Sequence, residues 1–143
     1  MGERVSSEDP SIRTFRARIE RSGGTKRPRL RLPPEATEFV PSGVVRLDLG
    51  GTVYHADVRE HDDGLLVVGA FDNARLARSP GEGVNRLPVW LDDVGLAIGR
   101  SVLFDVVVPD ALYGARPPGR TTVYDVIEPP RSSLSDIAAS LEE

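Results

Sequence analysis

The sequence predicts a mainly β protein, a small barrel or closed sandwich of about seven strands with short helices. Apolar and polar residues alternate in several short runs, for example at residues 14–20 and 52–58, and such alternation is typical of strands with one buried face. Turn residues, mostly glycine and aspartate, separate these runs. The chain of 143 residues is long enough for one core, and it has no cysteine, so the fold cannot depend on a disulfide.

We expect three parts along the chain. Residues 1–11 lack apolar periodicity, which favours a disordered tail. Residues 12–130 carry the strand patterns and should form the barrel-like domain. Residues 131–143 should form an amphipathic helix, because Ser133 and Asp136 approximate a capping box. Its apolar stripe consists of Leu134, Ile137, Ala138 and Leu141.

The first two strands, at residues 14–20 and 28–32, are predicted to pair as a ribbon, with a turn at residues 22–25. A period of two places their apolar residues on one face and their arginines on the other. The arginines of this face are Arg16, Arg18, Arg29 and Arg31, and Arg27 has the same parity as Arg29.

The middle of the chain is predicted to form one helical turn and then a meander of three strands. Gly50-Gly51 is suited to a tight hairpin turn between strands at residues 44–49 and 52–58. A turn at residues 62–64 then leads into a strand at residues 65–68. A brief helix should follow at residues 72–78, with Asp72 as its N-cap. The helical turn before the meander falls at residues 35–40.

The last third of the chain is predicted to contribute two strands. Residues 86–91 are ambiguous, because Pro88 would restrict a strand there to a sheet edge. Residues 101–108 form the most apolar run and are expected in the middle of the sheet, and residues 121–127 supply the final strand. The side chains expected to be most buried are Phe15, Ile19, Leu47, Val53, Leu66, Val68, Val102, Phe104 and Val106.

Positive charge is concentrated near the start of the chain. Residues 13–31 hold eight of the eighteen basic side chains and a single acid, Glu20, whereas the whole chain has a net charge of −4. Such asymmetry bears on association and not on fold, and it indicates an acidic partner. All basic residues except Lys26 are arginine, which suggests a GC-rich, salt-adapted source organism.

The same sequence favours a cytoplasmic protein with no membrane partner. Its apolar runs are far shorter than the roughly 18 residues that cross a bilayer. The polar start, Met1-Gly2-Glu3-Arg4, is unlike a signal peptide.

Two short segments resemble the AbrB-type family of swapped-hairpin and cradle-loop barrels. They are Arg-Leu-Arg-Leu-Pro-Pro-Glu at residues 29–35 and Gly-Leu-Ala-Ile-Gly-Arg-Ser-Val at residues 95–102. Leu-Gly-Gly-Thr-Val-Tyr at residues 49–54 resembles a hairpin of related small barrels. This resemblance implies a small β-barrel. The chain as a whole, especially residues 69–78 and 85–87, resembles an uncharacterised family of small haloarchaeal β-proteins, which implies no activity.

The arginine-bearing ribbon predicts a non-catalytic module that binds DNA or RNA. Guanidinium groups bind phosphates and can contact guanine edges bidentately. Tyr113 and Arg116, on a predicted exposed loop, are candidate secondary contacts, because an aromatic ring beside a guanidinium can stack on a base. A second interpretation is that the arginines pair with the acid-rich remainder of the chain. The candidate nucleic-acid-binding residues are Arg16, Arg18, Arg27, Arg29, Arg31, Tyr113 and Arg116.

Two other functions stay open at this point. The first is a protein-interaction or assembly module, or a homo-oligomer, that uses the ribbon or the stripe of Leu134, Ile137 and Leu141. The second is a small metal- or ligand-dependent enzyme around His55 and Asp57, which share a strand face. No residue pattern designates a catalytic group, a metal site or a cofactor.

Overall fold

The computed structural model describes residues 3–21, 27–61 and 64–126. Within them the chain forms nine strands and a few short helices. The strands are β1 (Glu3–Ser6), β2 (Arg13–Arg21), β3 (Pro28–Leu32), β4 (Gly43–Leu49), β5 (Thr52–His61), β6 (Gly64–Phe71), β7 (Ser101–Val108), β8 (Leu112–Arg116) and β9 (Val123–Val126). The helices are α1 (Ala74–Arg78), α2 (Leu87–Asp93) and the 3-10 turns Pro34–Glu38 and Pro80–Glu82.

Seven of these strands close into a barrel in the order β2-β3-β6-β5-β4-β8-β7, which confirms the predicted fold class. All neighbouring strands are antiparallel except β4 and β8, which run parallel with Leu47 opposite Tyr113. Closure pairs every barrel strand on both sides and so removes the unpaired edges of an open sheet. The predicted final strand, β9, lies outside the barrel, and β8 completes it instead.

Along each barrel strand, every second side chain is apolar and points into the core. The expected core positions Ile19, Leu47, Val102, Phe104 and Val106 are 2% exposed or less. Three other residues predicted in the core are only partly buried or lie outside it. Phe15 is half-buried against Phe39 at one end, Val53 lies opposite Asp48 on the outer side, and Val68 falls at a β-bulge. Leu66 is buried but belongs to the outer side of the barrel, opposite Arg31.

The two ends of the barrel are covered differently. At one end, α2 packs Leu87, Trp90 and Leu91 into the core. At the other, the turn Pro34–Glu38 and the residues after it contribute Ala36 and Val40.

The two α-helices differ from the predictions. One forms where an edge strand was considered, and the other has its N-cap one residue later than predicted. Residues 86–91 begin a helix instead of an edge strand, because Pro88 falls in the first helical turn, where its missing N–H is not needed. The N-cap of α1 is Asn73, whose side chain accepts a hydrogen bond from the Leu76 N–H at 2.9 Å. The predicted cap, Asp72, binds Arg86 instead, with Oδ2 2.9 Å from Nη2.

A small second sheet joins the two ends of the described chain. Strand β1 pairs antiparallel with β9, where the sequence favoured a disordered tail. The Ser7 N–H donates to the Thr122 carbonyl at 2.7 Å, and the Thr122 N–H donates to the Ser7 hydroxyl at 3.0 Å. A four-residue strand paired with a partner more than a hundred residues away leaves no local periodicity from which the sequence could predict it.

Residues 131–143, for which a C-terminal helix is predicted, lie outside the described residues. The predicted division into domains therefore stays a prediction. In the part of the chain that the structure describes, no helix is long and apolar enough to cross a membrane.

Candidate nucleic-acid interface

The outer side of β2, β3, β6 and β5 carries a row of three arginines and one leucine that crosses four strands. Arg18 lies opposite Arg31, Arg31 opposite Leu66, and Leu66 opposite Arg59. Because neighbouring strands are about 4.8 Å apart, the row spans roughly 14 Å. We use the name arginine face for this surface, which comprises Arg16, Arg18, Arg27, Arg29, Arg31 and Arg59.

The predicted ribbon arginines lie together, as period two requires, but they differ in their ion pairs. Arg16 and Arg18 are exposed, and neither has a carboxylate within salt-bridge distance among the described residues. Arg31 pairs with Glu20 of the same ribbon, with Nε 2.6 Å from Oε2. Arg59, at the far end of the row, pairs with Asp57, with Nη2 2.9 Å from Oδ2.

The described residues of this face line two recesses. The larger, of about 390 Å³, lies between the arginines of β3 and the end of β5. Its lining consists of Arg27, Arg29, Arg59, Glu60, His61, Leu66, Val68, Phe71 and Asn85. The smaller, of about 190 Å³, lies beside Arg16, Arg18 and Arg31. The Arg29 Nε is buried and has no hydrogen-bond partner among the described residues.

Tyr113 and Arg116 do not lie on an exposed loop, so the predicted location of these two side chains is wrong. Both belong to β8, every residue of which is buried. The Tyr113 hydroxyl donates to the Phe39 carbonyl at 2.6 Å and accepts from the Asp110 N–H at 2.7 Å. Burial of this ring raises the pKa of Tyr113 to about 12. Neither side chain is accessible to a nucleic acid.

Arg116 belongs to a buried cluster around Asp105, which sequence reasoning missed. Asp105 is fully buried and accepts hydrogen bonds from the Arg116 Nε at 2.8 Å, the Tyr124 hydroxyl at 2.6 Å and the Thr14 hydroxyl at 2.6 Å. Burial raises the pKa of Tyr124, and its hydrogen bond to Asp105 raises it further. The cluster joins β2, β7, β8 and β9, so its contribution is structural. Its one sequence signal is an acid inside the most apolar strand.

His55 and Asp57 lie two residues apart on β5 but have different surroundings. Asp57 accepts a hydrogen bond from the Arg59 Nε at 3.0 Å. His55 borders a separate recess of about 270 Å³, in whose lining Asp57 has no part. Its buried Nδ1 has no hydrogen-bond partner in the part of the chain that the structure describes. Within the described residues no group of three histidine, aspartate or glutamate side chains could hold a metal ion.

Comparison with known proteins shows the family of the chain but assigns it no function. Residues 1–141 match DUF7112, a family of unknown function. The chain belongs to this family. No curated protein and no solved structure matches it. Membership in DUF7112 agrees with the resemblance to an uncharacterised family, whereas the haloarchaeal source and the AbrB-type likeness stay predictions.

Proposed function

We propose that this protein binds nucleic acid through the arginine face and acts without catalysis. The observation that carries the proposal is the alignment of Arg18, Arg31 and Arg59 on three of the four strands β2, β3, β6 and β5, next to the exposed Arg16. Arg27 and Arg29 extend the same surface towards the larger recess. Tyr113 and Arg116 are left out, because both are buried.

Guanidinium chemistry supports a phosphate partner. Each arginine presents a planar fork of donors that matches two phosphate oxygens, and such charge-assisted hydrogen bonds are stronger than neutral ones. Arg16 and Arg18 make no ion pair within the described residues and need not break one to bind. Arg31 would exchange or share its contact with Glu20, whose side chain is 25% exposed.

The negative charge of the rest of the chain supports a contact with nucleic acid that is limited to the arginine face. The net charge is −4 although the residues of the ribbon are strongly basic, so the remaining surface is acidic. An acidic surface repels a polyanion, and the arginine face is then the side that a nucleic acid approaches.

Removal of one arginine tests the proposal. We expect Arg18→Ala to weaken binding to labelled oligonucleotides and to lower the slope of log affinity against log salt by about 0.7 to 0.9, the share of one phosphate contact. Fluorescence anisotropy across a salt series measures both quantities. Arg120→Ala, which removes an equal charge from an exposed position in the loop between β8 and β9, should leave the slope unchanged.

Two results would contradict the proposal. One is the absence of measurable affinity for any oligonucleotide at low salt, where electrostatic attraction is strongest. The other is an equal loss of affinity in Arg18→Ala and Arg120→Ala, because this would reflect net charge and not a defined surface.

A further inference from the structure

We infer that the nucleic acid is single-stranded and that one of its unpaired bases enters the larger recess of the arginine face. This inference rests on the proposed nucleic-acid binding and adds the class of strand that the surface accepts. The recess lies directly beside the row of Arg18, Arg31 and Arg59, since Leu66 belongs both to that row and to the recess lining.

Apolar side chains in its lining distinguish this recess from a site that binds only phosphate. Leu66, Val68 and Phe71 contribute to its lining. Val68 is partly exposed, whereas Leu66 and Phe71 are buried. A phosphate needs only donors, whereas a planar base gains from apolar contact and from stacking on guanidinium groups. The volume of about 390 Å³ is within the range of sites for small organic ligands.

The Asn85 amide in the recess offers a donor that matches a base edge. The Asn85 Oδ1 accepts from the Ala70 N–H at 3.0 Å and from the Leu87 N–H at 3.1 Å. These two bonds fix the orientation of the amide and leave its NH2 group as a donor. Carbonyl oxygens and ring nitrogens of bases are the complementary acceptors.

Gly69 allows this wall of the recess to form. A Cβ at this position would lie 2.9 Å from the Phe71 Cε2 and 3.0 Å from the Asn85 Nδ2, closer than side chains pack. Without a side chain at position 69, the Phe71 ring and the Asn85 amide can both lie against β6. The polar donor and the apolar lining are therefore held next to each other.

The combination of exposed arginines and an adjacent recess favours single-stranded over double-stranded nucleic acid. In a duplex the base edges are paired and the bases are stacked inside, so that none can reach a recess beside the phosphate contacts unless it is flipped out. A single strand can place successive phosphates along the exposed arginines while one base turns into the recess, as in other single-strand sites that combine basic grooves with base contacts.

The experiment compares strands and recess variants by fluorescence anisotropy on the full chain. The probes are short single-stranded oligothymidylate and oligouridylate, an abasic strand of the same length, and a duplex. We expect wild type to bind at least one of the two base-bearing strands about tenfold more tightly than the abasic strand or the duplex, because one buried base contributes roughly 1–3 kcal/mol.

Filling the recess should remove that preference. Val68→Phe adds a ring to the recess without a change in charge and should weaken binding to the base-bearing strand about tenfold while affinity for the abasic strand is unchanged. Val89→Phe is the matched control, since Val89 lies on α2 and is 52% exposed. Fluorescence of the buried Trp90 reports whether each variant is folded.

The outcomes separate this inference from the proposed function. If wild type binds the abasic strand or the duplex as tightly as both base-bearing strands, the inference is wrong although nucleic-acid binding stands. This comparison needs no variant and holds even if Val68→Phe does not fold. A folded Val68→Phe that binds like Val89→Phe also overturns the inference. Absence of binding to every probe at low salt overturns the proposed function first.

Discussion

Tyr113 is enclosed at one end of the barrel, where its ring stacks on Phe104 with 5.6 Å between ring centroids. Its hydroxyl is bonded to the backbone of Phe39 and Asp110. Burial raises the pKa of Tyr113 to about 12, so the ring stays neutral in the folded protein under conditions in which an unfolded tyrosine ionises. A residue that sequence reasoning placed at the partner surface is thus part of the fold.

This burial predicts a loss of stability at high pH. Below pH ~10 the folded and unfolded states both hold the phenolic proton. Between about pH 10 and 12 only the unfolded state releases it, so the free energy of unfolding falls by up to about 1.4 kcal/mol per pH unit for this group. Urea unfolding across this pH range should show a shallower decline in Tyr113→Phe than in wild type.

Tyr54→Phe is the control for that measurement, because it leaves Tyr113 and Tyr124 in place and should keep the steep decline. Burial also raises the pKa of Tyr124, so some decline persists in Tyr113→Phe. Equal slopes in Tyr113→Phe and wild type would show that Tyr113 ionises as readily in the folded protein as in the unfolded chain.

Residue positions were predictable where they depend on alternation within one strand. Arg16, Arg18 and Arg31 share the outer side of the barrel because every second side chain points the same way. The failure at Arg116 has a different cause. Its burial depends on Asp105 of the neighbouring strand and Tyr124 of β9, which nothing near position 116 in the sequence indicates.

At the scale of elements, β8 is buried on both sides because Tyr124 of β9 packs against its outer side. Gly114 is the point of contact, since a Cβ there would lie 2.2 Å from the Tyr124 Cε1 and 2.6 Å from its hydroxyl oxygen. The Tyr124 hydroxyl donates to Asp105 at 2.6 Å. This contact attaches the small β1–β9 sheet to the barrel.

Gly114→Ala should therefore release the β1–β9 sheet. The added methyl group cannot coexist with the Tyr124 ring, and displacement of the ring breaks its hydrogen bond to the buried Asp105, a change that typically costs about 1–3 kcal/mol. Hydrogen exchange should be faster for the amides of β1 and β9 than in wild type.

Gly81→Ala is the matched control, because no atom lies within 4 Å of the Cβ that it adds. It should leave the exchange of β1 and β9 unchanged. Protection of both strands in Gly114→Ala equal to that in wild type would contradict the contact between Gly114 and Tyr124.

Elements with a local period were predicted, and elements defined by distant partners were not. The apolar run at residues 101–108 predicts a strand with the bounds that β7 has. In contrast, β1 is too short to show a period and pairs with β9 at the other end of the described chain. Helix α2 was missed because Pro88 argues against a central strand and is equally suited to the first turn of a helix.

At the scale of the whole molecule, the seven-stranded barrel encloses one core, and Phe104 lies inside it with no exposed surface. We expect Phe104→Ala to lower the free energy of unfolding by about 3–5 kcal/mol, because it opens a cavity that a closed barrel can only partly fill. Chemical denaturation measures this change. Val123→Ala, at a position that is 58% exposed, should change it little. Near-native stability of Phe104→Ala would contradict the central position of this ring.

The sequence by itself determined the fold class, the strands of the ribbon and the meander, and the side of the barrel on which the ribbon arginines lie. These features follow from alternation along one strand and from turn residues between neighbours. Only the tertiary structure decided that β4 and β8 pair in parallel, that Tyr124 covers Gly114, and that Leu66 joins Arg31 to Arg59. The physical reason is that barrel closure and register bring together residues far apart in the chain, and such pairings depend on packing and hydrogen bonds that leave no periodic signal in the sequence.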